Sequence, residues 1–507
     1  MKRALISVSD KTGVIELAKR LIELEVEIVS TGGTYALLRA HNLPVLSVEE
    51  VTHFPEMLEG RVKTLHPYVH GGILFKRNNQ EHLEVLNQYN IQPIDIVIVN
   101  LYPFEKIIQD PHHTLDDAIE NIDIGGPTLL RAAAKNFSDV CVVVDPSDYH
   151  VLITQLIEHG TPSYEFKKAM ALKIFQHTAV YDGLIAQYLN EELFPQHHIQ
   201  SLTKVMDLRY GENPHQQAAF YANQYNQNSL LMNAEQLQGK MLSYNNLLDA
   251  NAAIELLKEF NLPTCVVIKH TNPCGVGSAT TIEEAYFKAY EADKISIFGG
   301  IVALNQEVNE TIAKHLASLF LEVILAPSFS EQALMILSKK VNVRLMRINF
   351  SHEYKTSLTY TPLNGGWLVQ TKDEDAFDYS TINMVSGTLH DSDWDDAVFA
   401  MKVCKHVKSN AIVIARNGMT LGIGGGQSNR VGAARIALEM AQDKAKGAVL
   451  ASDAFFPMPD TVKLAAQYGI QTIIQPGGST KDDLSIEACK KHNITMILTG
   501  IRHFKHG

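Results

Sequence analysis

Short apolar runs alternate with amphipathic stretches along the first part of the chain. Ala4–Val8 reads as a strand, and Gly13–Leu24 sets Val14, Leu17, Ala18 and Leu21 on one helical face. Glu27–Ser30 predicts a second short strand, followed by the loop Thr31-Gly32-Gly33-Thr34 and a helix from Tyr35. Further strands are predicted at Ile94–Asn100 and Val140–Asp145. Strands and helices alternating in this way predict an α/β domain with a mostly parallel sheet. The periodicity lapses over Glu191–Lys204, which places a domain boundary there and divides the chain into residues 1–197 and 198–507.

Beyond that boundary the pattern predicts two α/β units in tandem. Cys265–Lys269 reads as a buried strand leading into a turn, Asn272-Pro273-Cys274-Gly275, with a helix over Thr281–Ala292. Ala411–Ala415 is a further strand, followed by a hairpin, a glycine loop Gly422-Ile423-Gly424-Gly425-Gly426 and a helix from Asn429. The polar stretch Ser351–Asp378 separates the two units, and the chain shows no short repeat.

A chain of 507 residues calls for two or more cores. The net charge is −12 with Lys and Arg scattered, so the basic face that a nucleic-acid backbone demands is missing from the pattern. Anionic ligands must then be met by local clusters, which favours small phosphorylated metabolites. The five cysteines are odd in number and form no CxxC pair, arguing against a zinc site or a disulfide framework and for a reducing, cytoplasmic setting. Ser7, Ser9 and Asp10 interrupt the N-terminus before a signal-peptide core forms. The run Ile94–Leu101 is too short, and too polar at Asp95 and Asn100, to span a bilayer.

Several stretches carry candidate chemistry. In Ser30-Thr31-Gly32-Gly33-Thr34, between strand and helix, glycines let successive N–H groups face one point and the helix terminus adds positive potential, an anion cradle. A tight turn with a Thr cap explains the same residues, and no Walker A loop is present. Ser7-Val8-Ser9-Asp10-Lys11 ends the preceding strand, at the edge where ligands of open α/β sheets collect. In Gly60–Pro67 (GRVKTLHP) an extended backbone projects Arg61 and Lys63 to one side, costly to bury without an anion. A solvated basic loop is the alternative, disfavoured by the ordered-looking His66-Pro67 and His70-Gly71-Gly72 that follow. Asn100–Phe104 lifts the Tyr102 hydroxyl to the sheet edge, and Asp123–Pro127 opens a helix bearing Arg131 and Lys135. A helix cap accounts for Asp123 by itself. In the second half, Lys269 and His270 stand together at a strand end; a lone structural histidine is the commoner case, but two ionisable groups before a turn tend to mark chemistry.

SVSDKTG, STGG, GRVKTLHP, NLYPF and NIDIGGPTLLRAAAKN, in this order, resemble the cyclohydrolase domain of the bifunctional purine enzymes that join AICAR formyltransferase to IMP cyclohydrolase, with a methylglyoxal synthase-like fold. The resemblance implies that Ser7, Ser9, Lys11, Ser30, Gly32, Gly33, Thr34, Arg61 and Thr64 hold the nucleotide phosphate and ribose, while Lys63, Tyr102, Asp123 and Lys135 carry ring closure. LRYGENPHQ, KMLSYNNLLD, IKHTNPCG, GIGGGQSNR, SDAFFP and the terminal RHFKH are similar to the formyltransferase domain of the same family, built from two cytidine deaminase-like α/β units. That implies AICAR contacts from Arg209, Tyr210, Asn246, Lys269, His270, Asn410, Arg430, Phe455, Arg502 and Phe504. Glu322, one methylene longer than the Asp of some relatives, and Ile423 would meet 10-formyltetrahydrofolate. His270 would take the amine proton while Lys269 and Asn410 steady the oxyanion.

Gly277 stands where a deaminase has its second cysteine, so no transition metal is expected. The resemblance also admits a potassium ion near Asp453 and implies a homodimer acting on AICAR and formyl-AICAR, with no nucleic-acid or membrane partner. Two other classes fit the sequence less well. An NAD(P) oxidoreductase fails because position 427, where GxGxxG needs glycine, is Gln. An effector-sensing module needs the phosphate cradle but not Lys63, Tyr102, Asp123 and Lys135 together.

Overall fold

Ala4, Leu5, Ile6 and Val8, apolar on both faces of one strand, have nowhere to go but the middle of a covered sheet, and all are buried. The computed structural model describes residues 2–223, 229–350, 358–374, 377–378, 380–388 and 390–506. The chain divides into two compact units, Met1–Ser201 and Leu202–Gly507. In the first, strands β1 (Lys2–Val8), β2 (Val26–Ser30), β3 (Val45–Ser47), β4 (Ile96–Asn100) and β5 (Cys141–Val143) form one parallel sheet in the order β3-β2-β1-β4-β5. The order reverses between β1 and β4. Crossovers leave in opposite directions there and open a crevice at the strands' carboxyl ends.

Two local expectations need correction in this unit. The loop over residues 31–34 is instead the start of a helix, Gly32–Ala40, with Thr31 at its N-cap. Asp123 is not the N-cap of the next helix, Gly125–Lys135; Ile124 holds that position.

In the second unit, β6 (Thr203–Leu208) and β7 (Ala218–Ala222) pair as a separate hairpin. The main sheet comprises β8 (Glu235–Gln238), β9 (Thr264–Lys269), β10 (Asn272–Ser278), β11 (Ile301–Leu304), β12 (Val323–Ala326) and β13 (Arg344–Arg347) from its first half. Strands β14 (Leu358–Leu363) and β15 (Gly366–Thr371) make a hairpin inside the polar stretch between the halves, of which residues 351–357 and 375–376 lie outside the described set. The second half contributes β16 (Asn383–Ser386), β17 (Ile412–Arg416), β18 (Met419–Gly424), β19 (Val449–Ser452), β20 (Thr472–Gln475) and β21 (Thr495–Leu498).

The twelve strands run β16-β21-β20-β19-β17-β18-β10-β9-β11-β12-β13-β8, a palindrome about the β18–β10 seam. The tandem units therefore share one sheet. Equivalent residues through the hairpins stand 147 apart: Asp249 and Asp396, His270 and Asn417, Gly275 and Gly422, Gly277 and Gly424. One face of the sheet carries a single core, which includes Ala250 and Ala253 of helix Tyr244–Leu257 and Ala397 and Ala400 of helix Asp391–Lys405. On the other face each half has its own core.

The repeat explains the glycines. Asn272-Pro273-Cys274-Gly275 is not a turn but the start of β10, and Gly422-Ile423-Gly424 is not a loop but the end of β18. A Cβ on Gly275 or Gly277 would stand 2.2 and 2.3 Å from the carbonyls of Ala289 and Ala285; on Gly422 or Gly424 it would stand 2.0 Å from those of Ala437 and Ala433. In each half a Gly-x-Gly strand lets an alanine-lined helix lie directly on the sheet. The second of these helices starts at Arg430, capped by Asn429 through its side chain.

Because backbone cannot yield as a flexible side chain does, Gly424→Ala is expected to destabilise by about 2 kcal/mol or more. An unchanged urea unfolding midpoint would contradict this packing.

Candidate active sites

In the N-terminal unit, Asn100 at the end of β4 bridges the crevice to β1: its Oδ1 accepts the Ser9 and Asp10 N–H groups at 2.5 and 2.9 Å. Ser7 Oγ lies 2.7 Å from Thr31 Oγ1, and buried Ser30 donates to the Ile6 carbonyl at 2.7 Å. Lys11 donates to Thr34 Oγ1 at 2.7 Å and to the Val8 carbonyl. The Lys63 ammonium comes within 3.4 Å of where a Gly32 Cβ would stand. Two cations thus converge on the N-terminus of helix Gly32–Ala40, whose first turn has no acidic residue. Burial, with Lys63 nearby, pushes the Lys11 pKa down. Such a place favours an anion.

Asp123 lies beside this cradle. Its carboxylate accepts from the Gly126 N–H at 2.8 Å and the Tyr102 N–H at 3.4 Å, and its own N–H donates to the Tyr181 hydroxyl at 2.8 Å. Burial raises its pKa, opposed by those two hydrogen bonds and by Lys63. Thr64 is buried, its hydroxyl 3.0 Å from the position a Gly125 Cβ would take.

In the second unit a cleft of about 370 Å³ opens between the halves. Lys269, His270, Asn272 and Cys274 line it from one half, Lys408, Ile423, Gly425 and Gly426 from the other. Lys269 donates to the Phe298 carbonyl at 2.8 Å. Asn410 is fixed by the Gln427 carbonyl, which accepts its side-chain and backbone N–H at 2.7 and 3.1 Å. Burial pushes the Cys274 thiol up to about 12, so it is no nucleophile at neutral pH. Behind the cleft, Arg430 pairs with fully buried Asp453. That carboxylate also accepts from Ser409 Oγ at 2.5 Å and the Ala411 N–H at 3.1 Å. Paired and hydrogen-bonded in this way, the Asp453 carboxylate is charge-matched within the protein. Among the described residues no group of three or more His, Cys, Asp or Glu could hold a metal.

Residues 133–440 match the family described as AICARFT/IMPCHase bienzyme, and residues 13–128 match the MGS-like domain. The bifunctional purine biosynthesis protein PurH of Anoxybacillus flavithermus is 54% identical over 509 residues, 100% of both chains. This chain belongs to the AICARFT/IMPCHase bienzyme family. Proteins of the same description from Listeria monocytogenes and Bacillus cereus are 54% and 53% identical, again over 100% of both chains. The crystal structure of ForH covers 37% of this chain and 99% of its own, at 35% identity and a TM-score of 0.35.

Within this bienzyme the predicted residues do not all converge. Ser7, Ser9, Lys11, Ser30, Gly32, Gly33, Thr34, Lys63, Thr64, Tyr102 and Asp123 gather at the β1–β4 crevice, where Tyr102 is half exposed. Arg61 instead points to Glu120 in a solvent-exposed pair. Lys135 ends the helix that Asp123 precedes, roughly 15 Å along its axis at 1.5 Å per residue, and so reaches the opposite sheet edge.

In the second unit, Asn246 is buried and spends its Oδ1 on the Ser243 N–H in a capping box. Arg209 lies over the Tyr210 ring at 5.3 Å, and Arg502 over Phe504 at 4.4 Å. Neither pair lines the cleft, nor does half-buried Phe455. Glu322 pairs with Arg344 at 2.7 Å, on the same sheet edge as Lys269 but two strands away. Asn100 and Tyr181, which brace the first site, and Asn272, which braces the second, were not singled out in the sequence. Asn100 and Asn272 lie inside recognised motifs, while Tyr181 carries no local signal.

Because burial raises the Asp123 pKa, the folded protein binds that proton more readily than the unfolded chain, and ionisation costs stability as pH rises through the shifted value. The melting temperature of Asp123→Asn minus wild type is therefore expected to be larger at about pH 7 than at about pH 4. A difference that falls with rising pH would refute the assignment.

Proposed function

We propose that the two units divide two reactions between them. The chain is a bifunctional enzyme of purine biosynthesis. It transfers a formyl group from a folate co-substrate to AICAR and closes the product to IMP. What supports the division is that the two constellations of ionisable residues lie in separate compact units.

Ring closure belongs to the N-terminal unit. The carboxamide nitrogen of formyl-AICAR attacks the formyl carbon and a C–N bond forms. The former formyl oxygen then leaves as water with one proton from the carboxamide nitrogen and one from the formamido nitrogen, to which a C=N bond forms. Lys11 and the helix N-terminus hold the phosphate. Lys63 faces the developing oxyanion, and Asp123 and Tyr102 move protons. Arg61 and Lys135 have no part in this scheme within one copy of the chain.

Formyl transfer belongs to the cleft of the second unit, whose halves we read as cytidine deaminase-like. The AICAR amine attacks the formyl carbon of 10-formyltetrahydrofolate, the bond to folate N10 breaks, and N10 gains a proton. His270 accepts the amine proton while Lys269 and Asn410 donate to the oxyanion, each such donor being worth about 10²–10³ in rate. Homodimerisation and a cytoplasmic setting, the latter consistent with five unpaired cysteines, complete the reading.

Lys63→Ala is expected to stop ring closure while transfer continues and formyl-AICAR accumulates. His270→Ala is expected to stop transfer while supplied formyl-AICAR still becomes IMP. Losses of about 10²–10⁴ are anticipated in each affected step. Separate assays of the two half-reactions check this, and His270→Ala that abolished ring closure but spared transfer would reverse the assignment.

A further inference from the structure

The repeat supplies an internal control for the turn that carries His270. Asn417-Gly418 joins β17 to β18 with φ of 54° and 64°; His270-Thr271 joins β9 to β10 with φ of 53° and 62°. A two-residue hairpin turn with both φ positive selects Asn-Gly, because those residues enter the left-handed region with little strain. His enters that region more readily than most residues, but β-branched Thr271 at the second position is a genuine outlier there, where the equivalent turn has Gly418. Local preference therefore accounts for one turn and not for the other.

The same device lies under both. Asp396 accepts the Asn417 and Gly418 N–H groups, each at 2.8 Å. Asp249, at the equivalent position of the preceding helix, accepts the Thr271 N–H at 2.6 Å and also the N–H of His270. From the other side Asn272 donates to the His270 carbonyl at 3.0 Å and accepts the Lys408 N–H at 2.9 Å, two residues before Asn410. Strained backbone persists only where its surroundings over-determine it. At His270 those surroundings are Asp249 and Asn272.

We propose that Asp249 is a positioning residue for formyl transfer, locking the His270-Thr271 turn in the left-handed conformation that presents His270 to the cleft. The equivalent Asp396 secures a turn that needs no such help. This rests on the reading of His270 as the proton acceptor.

The test compares Asp249→Ala, Asp396→Ala, His270→Ala and the double variant Asp249→Ala/Thr271→Gly in the full-length enzyme, by formyl-transfer kinetics and melting temperature. Asp249→Ala is expected to lower kcat about 10²-fold, the scale of a small misplacement, with little change in the KM for AICAR. Adding Thr271→Gly, which adopts the turn unaided, is expected to recover roughly tenfold. Asp396→Ala is expected to lower the melting temperature comparably but to leave kcat within about threefold of wild type.

A merely structural carboxylate would move kcat alike in both Asp variants and give no recovery; either result overturns the proposal. Should Asp249→Ala fail to fold, Asp249→Asn with and without Thr271→Gly gives the same comparison, and absence of recovery overturns it. Wild-type transfer in His270→Ala would sink the reading of His270 itself. An inactive His270→Ala beside an unaffected Asp249→Ala would overturn the positioning role alone.

Discussion

The larger unit hangs on one antiparallel seam. Gly277 of β10 pairs with Met419 of β18, and the Ser278 N–H donates to the Gly418 carbonyl at 2.8 Å. The buried Thr420 hydroxyl accepts the Val276 N–H at 2.9 Å and donates back to the Val276 carbonyl at 3.3 Å. Because the strands are antiparallel, the start of β10 lies beside the end of β18. Lys269-His270 of one half therefore meets Gly425-Gly426 and Lys408 of the other in one cleft. At the opposite edge the same symmetry brings only Asn417-Gly418 and the entry to β9. The duplicated fold is symmetric; the chemistry is not.

The N-terminal unit reaches a comparable result by another route. Its site lies where the strand order reverses, and Asn100 ties the two strand ends together across that point. Among the described residues neither Lys11 nor Lys63 makes a carboxylate ion pair there, and the helix terminus and the cradle of hydroxyls favour an anion. Asp123, held just aside by backbone N–H groups, remains available for proton transfer. In both units strand ends hold the groups to which the proposal gives the chemistry, and turns or helix starts orient them.

Much of this was legible in the sequence because it is local. Apolar runs marked β1, β4, β9 and β17, and the motif order marked the family. The errors were tertiary. Gly422 and Gly424 look like loop residues since nothing nearby in sequence reveals that Ala437 and Ala433 press on them. The 147-residue repeat is masked because few identities, such as Asp249 with Asp396, survive in it. Lys135 shares a motif with Asp123, and the helix between them sets the two roughly 15 Å apart along its axis.

The most direct test is a crystal structure of the enzyme with AICAR bound. The account predicts the 5-amino nitrogen within about 3 Å of the His270 imidazole, hydrogen-bond reach for a general base, with the same molecule in contact with the Lys408–Asn410 segment across the seam. AICAR bound in the second unit with its amine out of reach of His270, or contacting residues of one half only, would contradict it.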